Sequence, residues 1–178
     1  MKIKFLAGVV FFTLFFSACK DEKSKENQPE AEKVVVESKV SITVDMVVPV
    51  DDSFQIFYTE DNTLNFSEEK CVRVNIQGKP TSQKIVFNFP DEVAFTFLRF
   101  DVGENKLQKE MKINDFLIKY YDKKFEAKGN LFLQYFAPND QLKVDMAKAT
   151  FVPQDKDPHD PIFYPLEPLG VELNKLIK

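Results

Sequence analysis

Residues 83–101 read QKIVFNFPDEVAFTFLRFD. Two runs, 83–89 and 93–101, alternate apolar with polar side chains and are divided by Pro90 and two acids. A two-residue period places successive side chains on opposite faces of a strand, and proline closes the ladder that it interrupts. Both runs are therefore assigned to β-strands, each with one face toward a core.

The same texture extends in both directions. Upstream lie VSITVDMVV (40–48), FQIFYT (54–59), preceded by the Asp51–Asp52–Ser53 turn, and CVRVNI (71–76), in which Cys71, Val74 and Ile76 are assigned inward. Downstream lie MKINDFLIKYY (111–121), LFLQYF (131–136), LKVDM (142–146) and ATFVP (149–153). The segment KINDFLIKYY also fits an amphipathic helix, but its β-branched and aromatic content favours a strand. About nine short strands at such spacings predict an all-β sandwich or barrel. Only EPLGVELNKLIK (167–178) reads as a helix, with Leu169, Leu173, Leu176 and Ile177 on one face and Gly170 working against it.

The N-terminus has a different composition. MKIK is basic, FLAGVVFFTLFF (5–16) is an unbroken apolar run, and small residues lead to Cys19. That order is a secretory signal, and the run falls short of the roughly 20 residues of a bilayer span. FSAC (16–19) resembles the lipobox of bacterial lipoproteins, with Phe16 in place of the usual leucine. The resemblance implies cleavage before Cys19, acylation of its sulfur and amine, and attachment to a membrane; two or more acyl chains anchor stably where one does not. Lys20, Asp21 and Glu22 resemble the surface-export tag of Bacteroidota lipoproteins, which implies an outer-membrane position facing the environment, with a periplasm-facing anchor as the alternative. Residues 20–33 are charged and almost devoid of apolar side chains, the composition of a disordered tether. The predicted organisation is a signal peptide at 1–18, a lipidated cysteine and tether at 19–38, a sandwich at 39–166 and a helix at 167–178.

Composition narrows the function classes. The chain of 178 residues contains 24 basic and 28 acidic side chains, a formal net charge of −4. Removing Lys2 and Lys4 with the signal leaves −6, which argues against nucleic acid as a partner and against a polybasic grip on lipid headgroups. With Cys19 acylated, Cys71 has no disulfide partner, and one histidine, His159, excludes any site that needs two imidazoles.

Several of the segments together resemble the carbohydrate-binding-module-like sandwiches of bacterial envelope and polysaccharide-related proteins. They are VPVDDSFQIFYTED, FSEEKCVRVNIQG, QKIVFNFPDEVAFTFLRFDVGEN, MKINDFLIKY and FVPQDKDPHDP, spanning about residues 40–163. The resemblance implies a jelly-roll sandwich with a short C-terminal helix and a ligand-binding, non-catalytic role, with glycan as the ligand. An assembly subunit of an envelope complex is the alternative, and a small hydrolase a further one.

Candidate site residues are few. Arg99 and Asp101 share one strand face, where they can clamp sugar hydroxyls or close a strand end as an ion pair. Gly103 and Asn105 follow in the turn. Tyr58 and Tyr120 are the candidate stacking platforms, because tyrosine joins a ring to a hydroxyl and the chain lacks tryptophan. Asp155, Asp157 and Asp160 crowd one loop with His159 and offer oxygen ligands to a calcium ion, though without EF-hand spacing; no other cofactor is expected. The acidic turns at 51–52 and 59–62 are candidates to share one end of the sandwich. The expected partners are a membrane, through acylated Cys19, and a glycan or an envelope protein.

Overall fold

The computed structural model describes residues 38–178; the predicted signal, Cys19 and nearly all of the tether lie outside the described residues. Eleven strands and one helix follow in chain order: β1 (Val40–Val48), β2 (Asp52–Thr59), β3 (Cys71–Ile76), β4 (Lys79–Asn88), β5 (Phe97–Val102), β6 (Met111–Tyr120), β7 (Lys123–Lys128), β8 (Phe136–Pro138), β9 (Leu142–Asp145), β10 (Thr150–Pro153), β11 (Ile162–Pro165) and α1 (Glu167–Ile177). They form two antiparallel sheets. One runs β4-β1-β6-β10-β9, with β7 also paired to β6; the other runs β3-β2-β5-β11-β8. The protein is an all-β antiparallel sandwich with a short C-terminal helix, as the alternation and the final segment predict. The chain passes repeatedly from one sheet to the other, so neighbouring strands are often distant in sequence.

The alternation explains the core directly. In β1, Val40, Ile42, Val44, Met46 and Val48 are fully buried, while Thr43, Asp45 and Val47 between them are half-buried on the outer face. Facing them from the second sheet are Phe54 and Ile56 of β2 and Leu98, Phe100 and Val102 of β5. Phenylalanine fills the space between. Phe100 meets the edges of Phe54, Phe87 and Phe132, and Phe132 stacks on Phe136 at 4.6 Å. Such ring pairs contribute about 0.5–1.5 kcal/mol each beyond the area they bury. Helix α1 adds Leu169, Leu173 and Leu176 to this core.

Four local expectations are corrected. LFLQYF is not one strand: Gly129–Gln134 forms a 3-10 helix and Phe136 opens β8. Phe132 and Leu133 are adjacent and both buried, which a strand pointing neighbours to opposite faces cannot satisfy against one core. β7 was missed because KKFEAK offers only Phe125 and Ala127 inward among charges. β11 was hidden in IFYP, where Pro161 and Pro165 read as loop. Cys71 is out of phase with Val74 and Ile76. Its register partner is Phe57, which places it half-buried on the outer face with Arg73, while Val72 and Val74 pack against the core.

Candidate functional site

Strand β5 presents Phe97, Arg99 and Asp101 on the outer face of the five-stranded sheet, alternating with core residues Leu98, Phe100 and Val102. Arg99 donates from Nε to Asp101 Oδ1 at 2.8 Å and from Nη2 to Oδ2 at 2.7 Å. Its guanidinium lies 4.1 Å from the Phe57 ring centroid and 5.3 Å from that of Phe66. The plane is thus fixed by an aromatic floor and a two-point carboxylate. Asp101 is only 9% exposed, and burial pushes its carboxyl above the usual range, opposed by the Arg99 hydrogen bonds. Burial works against the Arg99 charge, but the hydrogen bonds to Asp101 and the Asp101 charge together more than offset it and hold the guanidinium above its ordinary pKa.

The neighbours on this face are ordered as well. Gln55, on β2 opposite Asp101, turns its amide oxygen toward Arg73, and Arg73 in turn pairs with Glu104. On the other side of β5, Phe163 of β11 pairs with Phe100 and is buried. Tyr164, the next residue, therefore points outward beside Arg99 with 44% of its surface exposed.

Beyond Phe97 the face opens into a groove of about 460 Å³. Leu64 and Asn62 form one wall, Val171 and Asn174 of α1 the other, and Phe97 and Pro165 lie in its lining. Gly170 faces Phe97: a Cβ placed there would sit 4.0 Å from the ring, so the helix approaches closely without clash. The loop wall is braced. Glu60 accepts from Lys70 Nζ at 2.9 Å and from the Ala94 N–H at 3.1 Å. Thr59 Oγ1 donates to the Thr63 carbonyl at 2.9 Å, and the Asn62 N–H donates to Thr96 Oγ1 at 3.2 Å.

The structure brings Arg99 and Asp101 together but distributes the other expected residues elsewhere. Tyr58 and Tyr120 point inward, edge-on to Phe95, where they rim the core instead of offering a platform. Burial pushes both phenols above their ordinary pKa. Asn105 is committed to its own turn: Nδ2 donates to the Asp51 carbonyl at 2.9 Å and Oδ1 accepts from the Leu107 N–H at 2.9 Å. The turn closes over Gly103, whose φ of +108° suits glycine.

The three aspartates offered to a calcium ion do not converge. Asp157 pairs with Lys106 at 3.2 Å, and Asp155 is exposed. Asp160 is held through its backbone by Gln141 and Asn139. Among the described residues, no three His, Cys, Asp or Glu side chains gather to hold a metal ion. The acidic turns at 51–52 and 59–62 sit at opposite ends of β2 and share nothing.

Tyr164, Phe57 and Phe66 were not assigned to a site from sequence. Phe57 and Phe66 look like core filling until the register places Arg99 over them, and Tyr164 lay in a segment read as loop. No family model matches the chain, and neither a curated protein nor a solved structure does.

Proposed function

We propose that this chain is a membrane-anchored envelope lipoprotein whose sandwich is a non-catalytic binding module. The outer face along β5 is its binding surface, and a glycan is the ligand. The observation that carries this is the exposed Tyr164 ring beside a guanidinium that Phe57 and Asp101 hold flat, next to the groove at Phe97. A pyranose offers an apolar C–H face to a ring and hydroxyls to planar donors and acceptors. Tyr164, and Phe97 in the groove, supply the rings; Arg99 beside the groove and the Asn62 and Asn174 side chains lining it supply the polar groups. Charge supports a neutral ligand, since Arg99 and Arg73 are each paired with a carboxylate. The groove lining contains one carboxylate, Glu167, whereas glycoside hydrolysis uses two.

The apolar side chains of Leu64 and Val171, 59% and 50% exposed on opposite walls, favour a second reading: a protein segment that anchors one apolar side chain in the groove, as in an assembly subunit. A glycan array followed by calorimetric titration, on the full chain carrying Cys19→Ser, separates the two. The expected result is glycan binding that weakens about 3- to 10-fold in Tyr164→Ala, the loss of one ring contact. No binding at millimolar glycan overturns the glycan reading.

A further inference from the structure

The groove at Phe97 differs from its surroundings in what its polar side chains do. In the loop wall, Asp61 Oδ1 accepts from the Thr63 N–H at 3.1 Å and from the Thr63 hydroxyl at 2.9 Å. Glu60 is held by Lys70, and Thr96 Oγ1 lies 3.0 Å from Thr59 Oγ1. By contrast, the side-chain amides of Asn62 and Asn174 and the Glu167 carboxylate line the groove and take no hydrogen bond or ion pair among the described residues. Asn62 is fixed by its backbone: φ is +60°, a left-handed conformation that asparagine tolerates, and its N–H donates to Thr96 Oγ1. Between these polar groups the lining is apolar, with Leu64, Phe97, Pro165 and Val171.

The charges of the groove fit a ligand without net charge. Its lining contains no lysine or arginine. Lys70 and Arg99 nearby are already paired, with Glu60 and Asp101. An anionic sugar would therefore meet Glu167 with nothing to offset it. Glu167 in turn needs no cation from the ligand, because it stands in the first turn of α1, where the helix dipole favours a carboxylate. What remains unfilled is a pair of amides on opposite walls, with aliphatic side chains beside them.

We infer that the sugar held in this groove carries an acetamido group, and that Asn62, Asn174 and the space beside Gly170 recognise it. This deepens the glycan reading and rests on it. A pyranose with hydroxyls alone packs its C–H face on a ring such as Tyr164 but has no methyl to place against Leu64 and Val171. An acetamido group has that methyl. It also has one N–H donor and one carbonyl acceptor, and each asparagine amide can meet either, having both functions itself. Gly170 makes the room: at the position of a Cβ there, the Phe97 ring at 4.0 Å is the nearest neighbour from outside α1. The methyl added by Gly170→Ala would take up that space. Glu167 remains free to accept a ring hydroxyl. The groove volume of about 460 Å³ lies within the ~300–1,000 Å³ range of small-ligand sites.

The test is calorimetric titration of the full chain carrying Cys19→Ser with matched sugars that differ in an acetamido group for a hydroxyl: chitotriose against cellotriose, and N-acetylgalactosamine against galactose. In whichever pair binds, the acetamido member is expected to bind at least about 10-fold tighter, from roughly 4-fold for a buried methyl and roughly 5-fold for one hydrogen bond. Gly170→Ala and Asn174→Ala should each reduce that ratio at least about 3-fold. Both place alanine in a helix, where it is favoured, and thermal melts confirm that each variant is folded. Tyr164→Ala should weaken both members of a pair alike and leave their ratio unchanged. A ratio near one in the parent chain, or a ratio undiminished in both groove variants, overturns the inference while the glycan reading stands. No binding of either pair at millimolar concentration removes the glycan reading, and this inference with it, and favours a protein segment as the occupant.

Discussion

Arg99 and Asp101 stand two residues apart on β5 and spend two parallel hydrogen bonds, 2.8 and 2.7 Å, on each other. Their side chains are 20% and 12% exposed, so most of the water around both charges is gone. Removing one partner leaves the other half-buried and uncompensated. Asp101→Asn should therefore lower unfolding free energy by about 2–3 kcal/mol, below the range for fully buried pairs. Arg99→Met/Asp101→Leu should cost much less than the single change, because neither charge remains. Urea denaturation of the two variants tests this, and equal losses would show that the pair contributes little.

Two glycines predict opposite outcomes. Gly170→Ala adds a methyl at ordinary contact distance from Phe97 and removes the glycine penalty within α1, so stability should rise by about 0.5–1 kcal/mol. The same methyl fills part of the groove, and ligand binding should weaken as the melting temperature rises. Gly103→Ala meets Asp52 Oδ2 at 2.5 Å and a φ of +108°, and should lose about 1–3 kcal/mol. Thermal melts of both variants check the signs.

Asp115 of β6 faces Asp45 of β1 in register and has an unpartnered buried Oδ1. Burial first, then a hydrogen bond with Glu126 and its charge, pushes the Asp115 carboxyl above the ordinary aspartate value. The folded state thus holds this proton to higher pH than the unfolded chain does. Its contribution is most favourable in acid and turns unfavourable as pH rises from the ordinary value through the raised one. Asp115→Asn should raise the melting temperature at neutral pH and have little effect in acid; a lower melting temperature at neutral pH would contradict the sign.

Glu60 behaves in the opposite way. The Lys70 hydrogen bond, followed by that from the Ala94 N–H, holds its carboxyl below the usual glutamate range. Its stabilisation is complete above the unfolded value, about pH 4.3, and is lost as pH falls through the lowered folded value. Melts of Glu60→Gln and the parent chain should differ at neutral pH and converge in strong acid. Proteolysis of the 60–70 loop should quicken over the same window.

The address has its own test. Cys19→Ser should move the protein from the membrane to the soluble fraction of cells. Protease treatment of intact cells carrying the parent chain should degrade it if the anchor faces outward and spare it if it faces the periplasm.

The alternating pattern was enough to place the core and most of the strands. Whether Ile42, Val44 or Phe100 points inward depends on a two-residue period and the cost of wetting apolar surface, and both are local. It also placed Arg99 and Asp101 on one face, because i and i+2 always share one. Local pattern failed where one buried face was too sparse to show, as in β7, or where consecutive residues both needed burial, as at Phe132 and Leu133. The tertiary structure alone decided which strands became neighbours, and this put Tyr164 beside Arg99, Phe57 beneath it, and α1 across from the loop at 60–66. It also moved Tyr58 and Tyr120 into the core rim. Strand order depends on contacts between residues distant along the chain, and no short-range period records them.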